Sequence, residues 1–165
     1  MEYENNIIYD SYYLINLFAK DNKEVTQLHI QKLMYFFEAF YMNEKKCDKL
    51  YECNFNAWMF GHVAIPLYKE YKSFGEFPIT LTDEKIEKGN SISDDKKYMI
   101  KELYDVFGEL TANELVELTH LKNSPWYKKW SENNQRVVYG AASYINKEET
   151  KKWFKEMFIV SETTT

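Results

Sequence analysis

The sequence predicts a mainly α protein of about six helices with a small two- or three-stranded β-sheet, forming a single α+β domain. Three observations carry this. Apolar residues recur at i, i+3, i+4 and i+7 through most of the chain, the period of a helix face. Alternation with period two is confined to residues 51–59 and a shorter run at 77–81. Cap residues stand at the head of several helical stretches. The 165 residues suit one domain, with a core over about 6–158 and a C-terminal tail over 159–165.

Ile7, Ile8, Ser11, Tyr12, Ile15, Phe18 and Ala19 make the stripe of a first helix over about 6–20. Thr26 caps a second helix, with Ile30, Leu33, Met34, Phe37, Phe40 and Tyr41 on one face. This is the most regular signal in the chain and is expected to be the core helix. Gln31, Lys32 and Glu38 lie off its stripe. The pattern fades at Asn43-Glu44-Lys45-Lys46.

Tyr51, Cys53, Phe55, Ala57 and Met59 alternate with polar Glu52, Asn54 and Asn56, so a strand is expected. Trp58 breaks the alternation and points to the opposite face, either packed under a helix or exposed as an anchor. Gly61 stands where the strand turns sharply into a helix, with His62 at the corner and Pro66 in the first helical turn. Leu67, Tyr68, Tyr71 and Phe74 form that helix's face, and Gly75 ends it. Phe77-Pro78-Ile79-Thr80-Leu81 alternates again, and its proline restricts it to an edge strand pairing with 51–57. Residues 82–92 read as a surface loop.

Ser93 caps a further helix through Met99, Ile100, Leu103, Val106 and Phe107, ended by Gly108. Thr111 with Glu114 is a capping box opening a helix through Leu115, Leu118 and Leu121. Ser124-Pro125 is a cap followed by proline at the first helical position, starting a turn with Trp126 and Trp130. Residues 131–145 give no clear signal. Asn146 with Glu149 heads a last helix with Trp153, Phe154, Met157 and Phe158 on one face.

Aromatic residues make up 18 % of the chain, including 14 Tyr and 4 Trp. Such residues serve wet interfaces as well as cores. The net charge is −5 and Arg136 is the one arginine. An acidic chain with one arginine is a poor fit to nucleic acid. No run reaches the roughly 20 apolar residues of a membrane span, and Met1-Glu2-Tyr3-Glu4 is acidic where a signal peptide is basic. Cys47 and Cys53 form no disulfide or zinc framework. A reduced, cytoplasmic protein is expected.

No constellation of catalytic residues emerges. His29, His62 and His120 lack the spacing of a helical zinc motif, so no metal or cofactor is expected. Cys53 sits on the strand's apolar face and reads as inert. The five glycines are isolated, so there is no phosphate loop.

Three blocks in order go further. They are Leu28-His29-Ile30-Gln31-Lys32-Leu33-Met34-Tyr35-Phe36, then Ala57-Trp58-Met59-Phe60-Gly61-His62-Val63 with Pro66-Leu67-Tyr68 and Tyr71, then Leu115-Val116-Glu117-Leu118-Thr119-His120 with Ser124-Pro125-Trp126. Together they resemble the Panacea domain family, which includes phage-associated GepA-like proteins and the SocA-like antitoxin and protease adaptor. The matching positions are Gln31, Lys32, Leu33, Tyr35, Ala57, Trp58, Gly61, Val63, Tyr68, Leu118, Thr119, His120, Pro125 and Trp126, and Pro66 belongs to the same block. The family usually has proline after the corner glycine, where this chain has His62.

The resemblance implies a bacterial or prophage antitoxin that neutralises a cognate protein toxin by direct contact, with a protease as a further partner. Trp58, His62, Tyr68, His120 and Trp126 are then the candidate partner-binding residues. His120 and Trp126 either pack on the 57–63 corner as a fold centre or share a surface with it. Two other classes compete: a small histidine- or metal-dependent enzyme using His62 and His120, and a DNA-binding regulator of its own operon.

Overall fold

The computed structural model describes residues 6–59 and 61–159. The second helix of the chain, α2 (Gln27–Lys45), is its axis, and eleven of its residues are buried. The buried set includes Gln31, Lys32 and Glu38, at 5 %, 0 % and 2 % exposure. A one-faced stripe would leave those three in solvent. They are covered because α2 is packed on several sides, by α5 (Asp94–Phe107), α6 (Ala112–Thr119), α8 (Lys147–Phe158) and a β-hairpin. Each of these three polar side chains then finds a partner, as burial requires.

Helix α1 (Ile7–Lys20) is capped by the Asn6 side chain, which accepts from the Ile8 and Tyr9 amides at 2.9 and 3.3 Å. It packs on α4 (Asp83–Asn90) and α5. The capping box of α6 forms as expected: Thr111 Oγ1 accepts from Glu114 N at 3.1 Å, and Glu114 Oε1 accepts from Thr111 N at 2.9 Å. Ser124 caps α7 (Pro125–Glu132), and Asn146 caps α8 through a 2.9 Å bond from Glu149 N. Among the described residues no helix is long and apolar enough to cross a membrane.

The sheet differs from expectation. Strand β1 (Phe55–Trp58) pairs antiparallel with β2 (Gly61–Ala64), in the register Phe55–Ala64, Asn56–Val63, Ala57–His62 and Trp58–Gly61. The chain therefore makes a hairpin first, and α3 (Ile65–Tyr71) begins only after β2. Gly61 opens β2 instead of turning a strand directly into a helix. The run 77–81 forms no strand: Phe77 is 76 % exposed, and the Ile79 amide bonds the Val25 carbonyl at 2.8 Å. One buried side chain and a loop partner were enough to produce its alternation. Residues 83–90 are helical where a loop was expected, begun by Thr82, whose hydroxyl accepts from Lys85 N. Residues 140–143 form a short 3-10 turn in the stretch that gave no signal. Met59 is 57 % exposed at the hairpin tip, off the apolar face expected for it. Phe60 and the tail positions 160–165 lie outside the described residues.

Candidate protein-binding site

Antiparallel pairing places opposite residues on the same face of a hairpin. Phe55, Ala57, His62 and Ala64 face inward and are all buried. Trp58 lies on the outer face and is half-buried. The candidate residues therefore separate into an inner group and an outer group.

The inner group locks the hairpin to α2. Gln31 bonds Ala64 twice, accepting from its amide at 2.8 Å and donating to its carbonyl at 3.1 Å. Lys32 Nζ donates to the His62 carbonyl at 2.9 Å. These side chains occupy the edge of β2 that a third strand would use. Gly61 has φ +107°, and a Cβ there would lie 2.7 Å from Lys32 Cε and 3.0 Å from Thr119 Oγ1. Only glycine fits both the backbone and the space. His62 is fully buried and stacks on Tyr35 at 3.4 Å between ring centroids. Tyr35 in turn bonds Thr150 of α8 at 2.6 Å.

His120 stacks on Trp126 at 3.8 Å, and Trp126 on Trp130 at 5.5 Å. Trp126 Nε1 donates to the Trp58 carbonyl at 2.7 Å, which ties α7 to the hairpin. His120 and Trp126 thus belong to the fold centre. Trp126 is 4 % exposed and His62 0 %, so neither presents its ring to the surface.

The electrostatics of this centre are unusual. Burial pushes the Lys32 ammonium down to about 7. Burial, then the charges of Lys32 and His120, hold His62 well below the ordinary histidine range. His120 is lowered by burial and by Lys32. Both ring nitrogens of His62 and Nε2 of His120 are buried without a hydrogen-bond partner. Three basic groups share the region, and neutrality is the state it favours. Among the described residues, no group of three or more His, Cys, Asp or Glu is placed to hold a metal. Burial raises the Cys53 thiol to about 11, away from a reactive thiolate.

The outer group is a different environment. Trp58 meets Tyr68 and Tyr139 edge-on, each at 6.0 Å, with interplanar angles of 73° and 79°. Tyr68 is 42 % exposed and Tyr139 79 % exposed. Trp58, Tyr139 and Tyr144 line a cleft of about 410 Å³, together with Asn56 and Pro66. Tyr144 reaches it because residues 144 and 145 lie along β1: Asn56 bridges Tyr144, and Ile145 N donates to the Phe55 carbonyl at 2.8 Å. Tyr139 and Tyr144 escaped the sequence reading because they stand in the irregular 131–145 stretch. Their density beside Val137 and Val138 was the available signal.

The family described as "Antitoxin SocA-like, Panacea domain" matches residues 30–127, more than half of the chain. No curated protein and no solved structure matches it. The match runs from α2 through the hairpin to the start of α7, and so contains the whole inner group. It includes Trp58 and Tyr68 of the outer group and stops before Tyr139 and Tyr144. This chain belongs to the SocA-like antitoxin family, with its Panacea domain over residues 30–127.

Proposed function

We propose that the protein is a cytoplasmic antitoxin that neutralises a cognate protein toxin by direct binding, and that the outer aromatic cleft is the centre of the binding face. The observation that carries this reading is the trio Trp58, Tyr68 and Tyr139. Large rings held at the surface by one another are the residues that dominate protein interfaces. Their geometry is preset, so little side-chain freedom is lost on binding. The inner residues His62, His120 and Trp126 act through the fold: they hold the hairpin on which Trp58 is mounted. The fully buried His62 imidazole, with neither nitrogen hydrogen-bonded, supports this division, since an enzyme would need it open to a substrate.

Co-expression with the product of the adjacent gene tests the reading. Growth should be restored in the presence of this protein and lost again with Trp58→Ala or Tyr139→Ala. Continued toxicity beside soluble wild-type protein would contradict it.

A further inference from the structure

The cleft's chemistry narrows what enters it. Among the residues that line it, Glu52 is the one charged group. Its side chain is 89 % exposed and pairs with Lys49 at 2.9 Å on the surface. Such an exposed pair contributes little and exchanges readily. Its aromatic lining is Trp58, Tyr139 and Tyr144, and the rings of Trp58 and Tyr139 stand at 79° to each other. Aromatic faces carry negative potential, and perpendicular rings around a recess surround a cation on more than one side.

The rest of the molecule offers an internal comparison. Tyr9, Tyr12, Tyr13 and Tyr104 each have a lysine ammonium over the ring, at 5.3 to 6.0 Å. Among the described residues no cation sits over Trp58, Tyr68, Tyr139 or Tyr144. In this lysine-rich chain, these rings around the cleft are not used by a lysine of the chain's own, and Lys147, an ammonium bonded to the lining, donates to the Cys53 carbonyl and to Glu38. The chain's net charge of −5 favours the approach of a basic partner.

We infer that the cleft receives a lysine or arginine side chain projecting from the partner protein, stacked against Trp58 and Tyr139 and paired with Glu52. This rests on the antitoxin reading for the partner's identity, but the cation site stands on its own chemistry. The recess of about 410 Å³ has room for one long side chain and the backbone that bears it.

The test uses N-acetyl-arginine amide and N-acetyl-lysine amide as probes, titrated into the full-length 15N-labelled protein. The Trp58 indole N–H signal, assigned by its loss in Trp58→Phe, is followed. Saturable shifts are expected in the millimolar range, as for a single exposed cation–π contact. Glu52→Gln should weaken them about two- to fivefold. Tyr139→Ala should abolish them, and since Tyr139 is 79 % exposed the fold should not change. N-acetyl-norleucine amide, of similar length and uncharged, should give no saturation. Equal binding of the norleucine probe would overturn the inference in favour of an apolar slot. Absence of any saturable shift would overturn it outright. Toxin neutralisation is measured in parallel on the same variants. Neutralisation that survives without probe binding removes the cation site and leaves the antitoxin reading. Probe binding without neutralisation supports the cation site and removes that reading.

Discussion

At the residue scale, Gly61 and His62 are neighbours under opposite constraints. Gly61 is fixed by its φ of +107° and by the Lys32 side chain, which fills the space a Cβ would take. Gly61→Ala should cost about 2–4 kcal/mol, combining backbone strain with a clash in a filled space. Urea unfolding measures it, and an unchanged midpoint would mean the hairpin corner is looser than described. His62 bears on acid stability. Its folded pKa is depressed by burial and by Lys32 and His120, so the unfolded chain binds the proton more readily. The stability this confers is complete above the unfolded value of about 6.5 and is lost as pH falls through it. By pH 5 the loss should approach about 2 kcal/mol for this group. His62→Phe keeps a ring on Tyr35 and removes both the titration and two unpaired nitrogens. The variant should lose less stability between pH 7 and pH 5 than the wild type. Parallel pH profiles would show that another group is responsible.

At the element scale, buried side chains of α2 do work that further strands would otherwise do. Gln31 and Lys32 satisfy β2, which is how a two-stranded hairpin survives inside a helical protein. Glu38 satisfies the next segment: it accepts from the Leu50 and Tyr51 amides at 3.0 and 2.9 Å and pairs with Lys147 at 2.6 Å. Lys147 also donates to the Cys53 carbonyl at 3.0 Å, so one ion pair fastens the 50–53 loop between α2 and α8. Glu38→Ala should therefore cost about 3–5 kcal/mol, because it strands a cation and two amides together. A loss below about 1 kcal/mol on chemical denaturation would contradict this bridging role. These contacts also mark where sequence reading ended. The helix caps were legible because a cap is a local bond between residues three apart. The role of Gln31, Lys32 and Glu38 was not, because their partners lie 12 to 109 positions away. Helix α4 was missed because Ile86 alone among its eight residues is a large apolar side chain, so it has no stripe to read. Strand β2 was missed because four residues are too few to display a period.

At the scale of the whole molecule, the Panacea segment supplies the scaffold and the C-terminal portion completes the proposed binding face. The family match ends at residue 127, and Tyr139 and Tyr144 come from beyond it to wall the cleft that Trp58 begins. Fold-centre positions were therefore readable from the resemblance, while half the aromatic surface was not. A toxin interface of ordinary size covers about 800 Å² on each partner, roughly a twelfth of the 9604 Å² surface. In the proposed complex the cleft is the middle of such a footprint, and central aromatic residues are where binding energy concentrates. Tyr139→Ala should thus leave thermal stability unchanged, since its ring is exposed, and still weaken the complex strongly. The most direct measurement is calorimetric titration of the purified toxin with wild-type protein and with Tyr139→Ala. The account predicts a tight complex for the wild type and a dissociation constant at least about tenfold larger for the variant, at equal melting temperature. Equal affinities for the two proteins would place the toxin on another face and contradict the central claim.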